Sequence, residues 1–223
     1  MTALVPQSNA NSAVQTTNSA LLVTSTATHV ALPTSNKIQH EFILGGQKSG
    51  KSRRAEFLAS EWLARSSNHQ AVLIATAMAH DAEMQKRIQR HQDDRALHSP
   101  GLATLEEPWQ LAKMIQTHSQ PHTLLVVDCL TLWLTNYLMP MPEFEHLAPQ
   151  YLDQLDALEK ALLNAHGPVV LVSNEIGLGV IPMGTEVRQF VDALGILNQK
   201  IASICPKVTL MAAGIALTMK ADA

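Results

Sequence analysis

Apolar positions along this chain fall into two alternating rhythms. Phe42-Ile43-Leu44, Ala71 to Thr76, Thr123 to Val127 and Val169 to Val172 are short runs with little polar alternation, as expected of strands buried on both faces. Lys207 to Ala213 reads as a further core strand, and Ile215 to Met219 as a short edge strand. Between these runs the spacing turns helical. Ala55, Leu58, Ala59 and Trp62 mark one helix, and Leu152, Leu155, Leu158 and Leu162 mark another within Tyr151 to Ala165. Val187, Phe190, Val191, Leu194, Leu197 and Ile201 mark a last helix over about Thr185 to Ile204. A helix begins near Asp81, a suitable N-cap with Glu83 in the first turn, and continues through Met84, Arg87, Ile88 and His91. Leu130 to Leu138 is helical until Pro140 and Pro142 stop it, and a short helix passes through Leu111 and Ile115. The polar stretch around Pro100 and Gly101 and the segment Glu106-Glu107-Pro108 are assigned no element. Alternating strands and helices predict an α/β domain, a mostly parallel sheet with helices on both faces.

The first strand and the first helix are joined by Gly45-Gly46-Gln47-Lys48-Ser49-Gly50-Lys51-Ser52, which fits G-x-x-x-x-G-K-[ST], the phosphate-binding P-loop. Glycines let the backbone fold closely around phosphate oxygens, so that successive N–H groups point inward. The helix that follows adds the positive end of its dipole. Lys51 is expected to reach the β- and γ-phosphates and the Ser52 hydroxyl to sit on Mg²⁺.

Composition narrows the class. A chain of 223 residues with 46% apolar content suits one α/β domain and a tail. Residues 1–38, rich in Ser, Thr, Asn and Ala, read as a disordered extension, leaving 39–223 as a single nucleotide-binding domain. A formal charge of −3 with scattered Lys and Arg argues against a nucleic-acid partner, and no apolar run is long enough for a membrane span. Cys129 and Cys205 sit among apolar residues, which predicts buried reduced thiols in a cytoplasmic protein.

Asp128 ends its strand after four apolar residues, where P-loop proteins place the second, Mg²⁺-holding carboxylate. Open parallel sheets bind ligands at the carboxyl ends of their strands. The P-loop, Thr76, Asp128 and the loop from Ser173 to Pro182 are therefore expected to converge. Glu83, Arg87, His91 and Arg95 recur every four residues, so they share one side of a helix if it persists that far. Such a stripe can be no more than a solvated charged face. A neutral imidazole is also a competent nucleophile toward phosphorus, and arginines beside it suit a phosphate. Arg188, Asp192 and Gln199 read as a solvated stripe on the last helix. The residues alone lead to a Mg-nucleotide P-loop protein that transfers phosphorus.

Several stretches in order resemble one family. They are the P-loop, Ile74-Ala75-Thr76, Asp81-x-Glu83-Met84, Arg87-Ile88-x-x-His91-x-x-x-Arg95 and Thr104-x-Glu106-Glu107-Pro108. Asp128 to Trp133, Ser173-Asn174-Glu175 with Gly177, Gly179 and Pro182, and Arg188-x-Phe190-x-Asp192 with Gly195 and Asn198-Gln199 complete the set. Over about residues 41 to 220 the chain resembles the bifunctional adenosylcobinamide kinase/adenosylcobinamide-phosphate guanylyltransferases of cobalamin biosynthesis. The resemblance implies a RecA-like P-loop fold and a propeller-shaped homotrimer. It also implies ATP or GTP as phosphate donor to adenosylcobinamide. GMP then passes from GTP to adenosylcobinamide phosphate through a guanylyl-histidine at His91. By the same correspondence Ala75, Thr76, Ala77, Gln92, Asp93, Asp94, Arg95, Glu106 and Asp128 line the guanine nucleotide site. Two positions depart from the family pattern, Lys48 where arginine is usual and Leu102 where an aromatic is common. Two other readings stay open: a P-loop switch that hydrolyses nucleotide to drive a partner, and a small-molecule kinase with that single activity.

Overall fold

The structure, a computed structural model, describes residues 40–79, 82–180 and 182–221, without the side chains of Arg87, His91 and residues 94–98. The extension 1–38 and the N-cap Asp81 lie outside the described residues. Strands β1 (Glu41–Gly45), β2 (Gln70–Ala75), β3 (Leu102–Glu106), β4 (Thr123–Asp128), β5 (Val169–Val172), β6 (Lys207–Ala212) and β7 (Ile215–Ala221) form one sheet. Its order is β3-β2-β4-β5-β1-β6-β7. All pairings are parallel except β6 with β7, which is an antiparallel hairpin. Helices α1 (Lys51–Ala64), α2 (Ala82–His98), α3 (Leu111–His118), α4 (Leu130–Leu138), α5 (Tyr151–Leu163) and α6 (Thr185–Ile204) connect the strands, with a 3₁₀ stretch at Pro142–Gln150. One strand, β5, separates the P-loop strand β1 from the Asp128 strand β4, in keeping with the RecA-like expectation. No helix among the described residues is long and apolar enough to cross a membrane.

Buried strands take alternate residues to opposite faces, and the core divides accordingly. Ile43, Leu73, Val126, Val170 and Met211 pack with Ala55 and Ala59 of α1 on one face. Phe42, Leu44, Ile74, Leu125, Val127 and Leu171 pack with α3, α4, α5 and α6 on the other. Each large aliphatic or aromatic side chain removed from water in this way contributes about 1.5–3 kcal/mol. Alanines at 55 and 59 let α1 lie close to the sheet, which sets the height of the P-loop above β1.

Beyond the polar stretch after α2, where the spacing predicts no element, Leu102–Glu106 is a strand. It is an edge strand with no fully buried residue, so its side chains carry no apolar run. β7 is an edge too: Ile215, Leu217 and Met219 are 64%, 50% and 62% exposed. On α6, the solvated stripe holds for the exposed Asp192 and Gln199 but not for Arg188. The Arg188 guanidinium turns back to donate to the carbonyls of Pro182 and Met183 and to the Thr185 hydroxyl, closing the start of its own helix.

At the amino end of the sheet, away from the P-loop, the buried Glu41 carboxylate accepts from Thr209 Oγ1 at 2.9 Å and pairs with Lys207 at 2.8 Å. His40 beside it is also buried. Its Nδ1 accepts the Val169 N–H at 3.1 Å, so the proton sits on Nε2, which donates to the Leu162 carbonyl at 3.1 Å. Burial lowers the His40 pKa below 6.5, the Leu162 bond opposing in part.

The unfolded chain takes up a His40 proton below pH 6.5 while the folded chain resists it, so stability falls as pH drops from 6.5 toward the lowered folded pKa. His40→Gln is expected to be less stable near neutrality and to lose part of that slope, checked by urea midpoints across the pH range; an unchanged slope would assign it to other groups. At Gly45, φ is 152° and an added Cβ would lie 2.4 Å from the Met211 carbonyl oxygen. Gly45→Ala is expected to cost about 3 kcal/mol, read from the same denaturation experiment.

Candidate active site

The P-loop hangs between β1 and α1 and is tied from both sides. Glu175 N–H, from the loop after β5, donates to Gly45 O at 3.1 Å. Gly214 N–H, from the β6–β7 turn, donates to Ser49 O at 3.0 Å. Gly50 takes φ 101° as it hands the chain to α1, and its missing Cβ leaves room for Gly214 Cα, 3.4 Å from where that atom would stand. Lys48 is also left-handed, at φ 55°. The Lys51 side chain is only 8% exposed, and its ammonium donates to Gly46 O at 2.7 Å inside the loop. It is held where phosphate oxygens would enter.

Two adjoining cavities open above the carboxyl ends of the strands. One, about 540 Å³, is lined by the P-loop from Gln47 to Ser52 together with Arg53, Arg90, Asp128 and Asn174. The other, about 400 Å³, is lined by Ala75, Ala77, Met78, Ile88 and Leu132, with Gln89, Gln92 and Glu106 supplying polar groups. Ser52, Asp128, Cys129 and Leu132 border both. Of the four groups expected to converge, the P-loop, Asp128 and the loop after β5 meet at these cavities, whereas Thr76 lines neither. The first cavity carries Lys48, Lys51, Arg53 and Arg90 against one carboxylate; among the described residues the second carries no Lys or Arg. A polyphosphate suits the first, and a flat, partly apolar group such as a base suits the second.

Of the expected nucleotide-site residues, Ala75, Ala77, Gln92, Glu106 and Asp128 border the second cavity. Gln92 Nε2 donates to Glu106 Oε1 at 3.1 Å, linking α2 to the end of β3. Asp93 is exposed and accepts instead from Gln89 at 2.9 Å. The side chains of His91, Asp94 and Arg95 lie outside the described residues. Thr76 is fully buried and braces the cavity wall from behind. Its hydroxyl donates to Cys129 O at 2.6 Å and accepts the Cys129 N–H at 2.9 Å, clamping the ends of β2 and β4 together.

α4 completes that wall. Asn136 Nδ2 donates to Thr76 O at 2.9 Å and to Pro108 O at 3.0 Å. The Trp109 carbonyl accepts from Trp133 Nε1 at 3.0 Å and from Tyr137 Oη at 2.8 Å. Glu107 shapes the turn that leads into α3, its Oε1 accepting the N–H groups of Trp109 at 2.8 Å and Gln110 at 2.9 Å. Glu107-Pro108, part of the motif that carried the resemblance, thus holds the chain path that presents Glu106. The Cys129 thiol is pushed up to about 12 by burial and by the neighbouring Asp128 carboxylate, so it stays protonated and is no nucleophile.

Spacing does not single out Arg53 or Arg90 as phosphate-side residues, whereas Asn174 belongs to the loop expected to converge there. Arg53 had a signal, since it follows Ser52 in the first turn of α1. Asn174 had the general one of standing just past a parallel strand. Arg90 had none, because only the packing of α2 over the sheet brings it there. Ser52 and Asp128 offer one hydroxyl and one carboxylate, a donor set that suits Mg²⁺ completed by phosphate oxygens and water. Among the described residues no cluster of three or more His, Cys, Asp or Glu could hold a metal by itself.

Known proteins share this arrangement of sequence. The family model described as "Cobinamide kinase / cobinamide phosphate guanyltransferase" matches residues 41–219. The chain is 44% identical over 183 residues to the bifunctional adenosylcobalamin biosynthesis protein CobP of Pseudomonas aeruginosa, covering 82% of this chain and 98% of that one. It is 33% identical over 187 residues to the CobU protein of the same description from Salmonella typhimurium, covering 80% and 98%. The Escherichia coli CobU protein is 31% identical over 186 residues, with the same coverage. A P-loop beside a base-sized cavity, in a chain matched along almost the whole length of these relatives, makes this protein a member of the cobinamide kinase/cobinamide phosphate guanyltransferase family.

Proposed function

We propose that this protein carries out both family reactions at the paired cavities, with the P-loop gripping the triphosphate and His91 accepting the guanylyl group. The observation that carries this reading is the shared wall: Ser52 and Asp128 border the cationic cavity and the base-sized cavity at once. One nucleotide can then lie with its phosphates on the P-loop and its base against Ala75, Ala77 and Glu106.

In the kinase reaction the substrate hydroxyl of adenosylcobinamide attacks the γ-phosphorus of ATP or GTP. Lys51 and the loop amides hold the charge that shifts toward the β–γ bridge. Mg²⁺ bound at Ser52 and Asp128 would supply further neutralisation of the phosphate oxygens. In the transferase reaction the imidazole of His91 displaces pyrophosphate from GTP, and adenosylcobinamide phosphate then takes GMP from the histidine. The covalent step divides one difficult displacement into two easier ones. Glu106 is suited to accept from the N1–H and N2–H₂ edge of guanine, which adenine lacks. The polar residues of α6 and the exposed apolar β7 are left for contacts between subunits of a homotrimer or with the corrinoid. A cytoplasmic location fits the reduced Cys129 and Cys205.

GTP labelled at the α- or the γ-phosphate separates this reading from its rivals. The protein is expected to retain acid-labile, base-stable label from the α position alone, and His91→Ala to retain none. Phosphate release without retained label would point to a switch, and phosphorylated cobinamide without retained label to a kinase only. Asp128→Asn is expected to slow both transfers about 10²–10³-fold with little loss of thermal stability, measured in separate kinase and guanylylation assays.

A further inference from the structure

Among the described residues, one cation of the cationic cavity comes from neither the P-loop nor the first turn of α1. Lys48, Lys51 and Arg53 belong to the loop and the start of α1, whereas Arg90 reaches the same cavity from α2. Among the described residues, the other α2 side chains that line the two cavities are uncharged. Gln85, Ile88, Gln89 and Gln92 line the second cavity at helical spacing, a stripe about 100° wide. Arg90 stands about 100° round from Gln89, on the flank nearest the P-loop, and residue 91 follows about 100° further. An exposed arginine on a helix is most often solvated, but this one borders a cavity with four cations to one carboxylate. A guanidinium binds phosphate through two parallel N–H groups, and its weak hydration lowers the cost of leaving water.

We propose that Arg90 is a further phosphate ligand of the guanylylation step. It holds the β- and γ-phosphates of GTP against the P-loop and so draws onto the nucleotide the helix that carries His91. This inference rests on the His91 reading above. In the step concerned, an imidazole nitrogen of His91 forms a bond to the α-phosphorus. The bond from that phosphorus to the bridging oxygen breaks, and its electron pair leaves with inorganic pyrophosphate. The proton on the other ring nitrogen goes to solvent. Negative charge builds on the departing pyrophosphate, where Lys51 holds it from one side and Arg90 from the other. Because Arg90 and His91 are neighbours on one helix, the leaving group itself helps position the nucleophile. A triphosphate then docks α2, and GMP, which lacks both outer phosphates, does not.

The test follows the kinetics of α-labelled GTP incorporation in the full chain and in Arg90→Gln, Arg90→Lys and His91→Ala, together with the reverse reaction, in which pyrophosphate converts the guanylylated protein back to GTP. Arg90 is exposed, so the variants are expected to melt as the parent does. Arg90→Gln is expected to slow labelling about 10–100-fold and to raise the pyrophosphate concentration for half-maximal reversal about 10-fold, with Arg90→Lys recovering part of both. Labelling and reversal at parental rates in Arg90→Gln would overturn the inference and leave the His91 reading intact. Slow labelling with unchanged pyrophosphate dependence would overturn it as well, reducing Arg90 to a support of the helix. Label retained by His91→Ala would sink the underlying reading instead.

Discussion

Everything at this site depends on a backbone crossing. The carbonyl of Met211 in β6 lies where a side chain on Gly45 would begin, so β1 can enter the P-loop at that height only because residue 45 has none. The same approach brings the β6–β7 turn under Ser49, and the loop after β5 supplies the Glu175 N–H to Gly45 O. The strands on both sides of β1 thus hold the phosphate loop open before any ligand arrives. Preorganised donors of this kind need not be rearranged when charge develops, which is the largest economy available to phosphoryl and nucleotidyl transfer.

The second cavity is made by a different device. Its wall is a set of side-chain bonds onto backbone carbonyls at strand ends, through Thr76, Asn136, Trp133 and Tyr137. These groups are buried, so each unmade bond would carry a desolvation cost of about 1–3 kcal/mol. The network therefore holds the ends of β2 and β4 and the Glu106–Trp109 path in one arrangement. The motif residues around it divide into those that face the cavity and those that hold the facing ones. Glu106 is of the first kind; Thr76 and Glu107 are of the second.

Between the two cavities lies a contrast of charge. Phosphate binding gathers Lys and Arg, whereas the adjoining hollow is lined by small apolar residues, amides and Glu106. A base edge needs its few polar groups matched one by one, whereas a polyanion is held by many charge-assisted hydrogen bonds. Separating the two environments suits the proposed binding of one nucleotide, gripped by its tail and selected by its head. Helix α2 spans both, which makes it the element through which occupancy of one hollow can be felt at the other.

By itself the sequence determined the parts that depend on local rules. Apolar runs at β1, β2, β4, β5 and β6, helical spacing from α1 to α6, and the Gly45–Ser52 loop all follow from periodicity and from glycine's access to positive φ. The edge strand β3 was illegible because strand periodicity records burial and an edge strand has little. Tertiary structure alone decided the rest. It buried Thr76 as a clamp between strand ends, tied Arg188 back onto the loop before its own helix, and carried Arg90 from α2 to the P-loop cavity. Such roles are set by which side chains lie across the sheet from one another, and contacts between residues far apart in the chain leave no spacing to read.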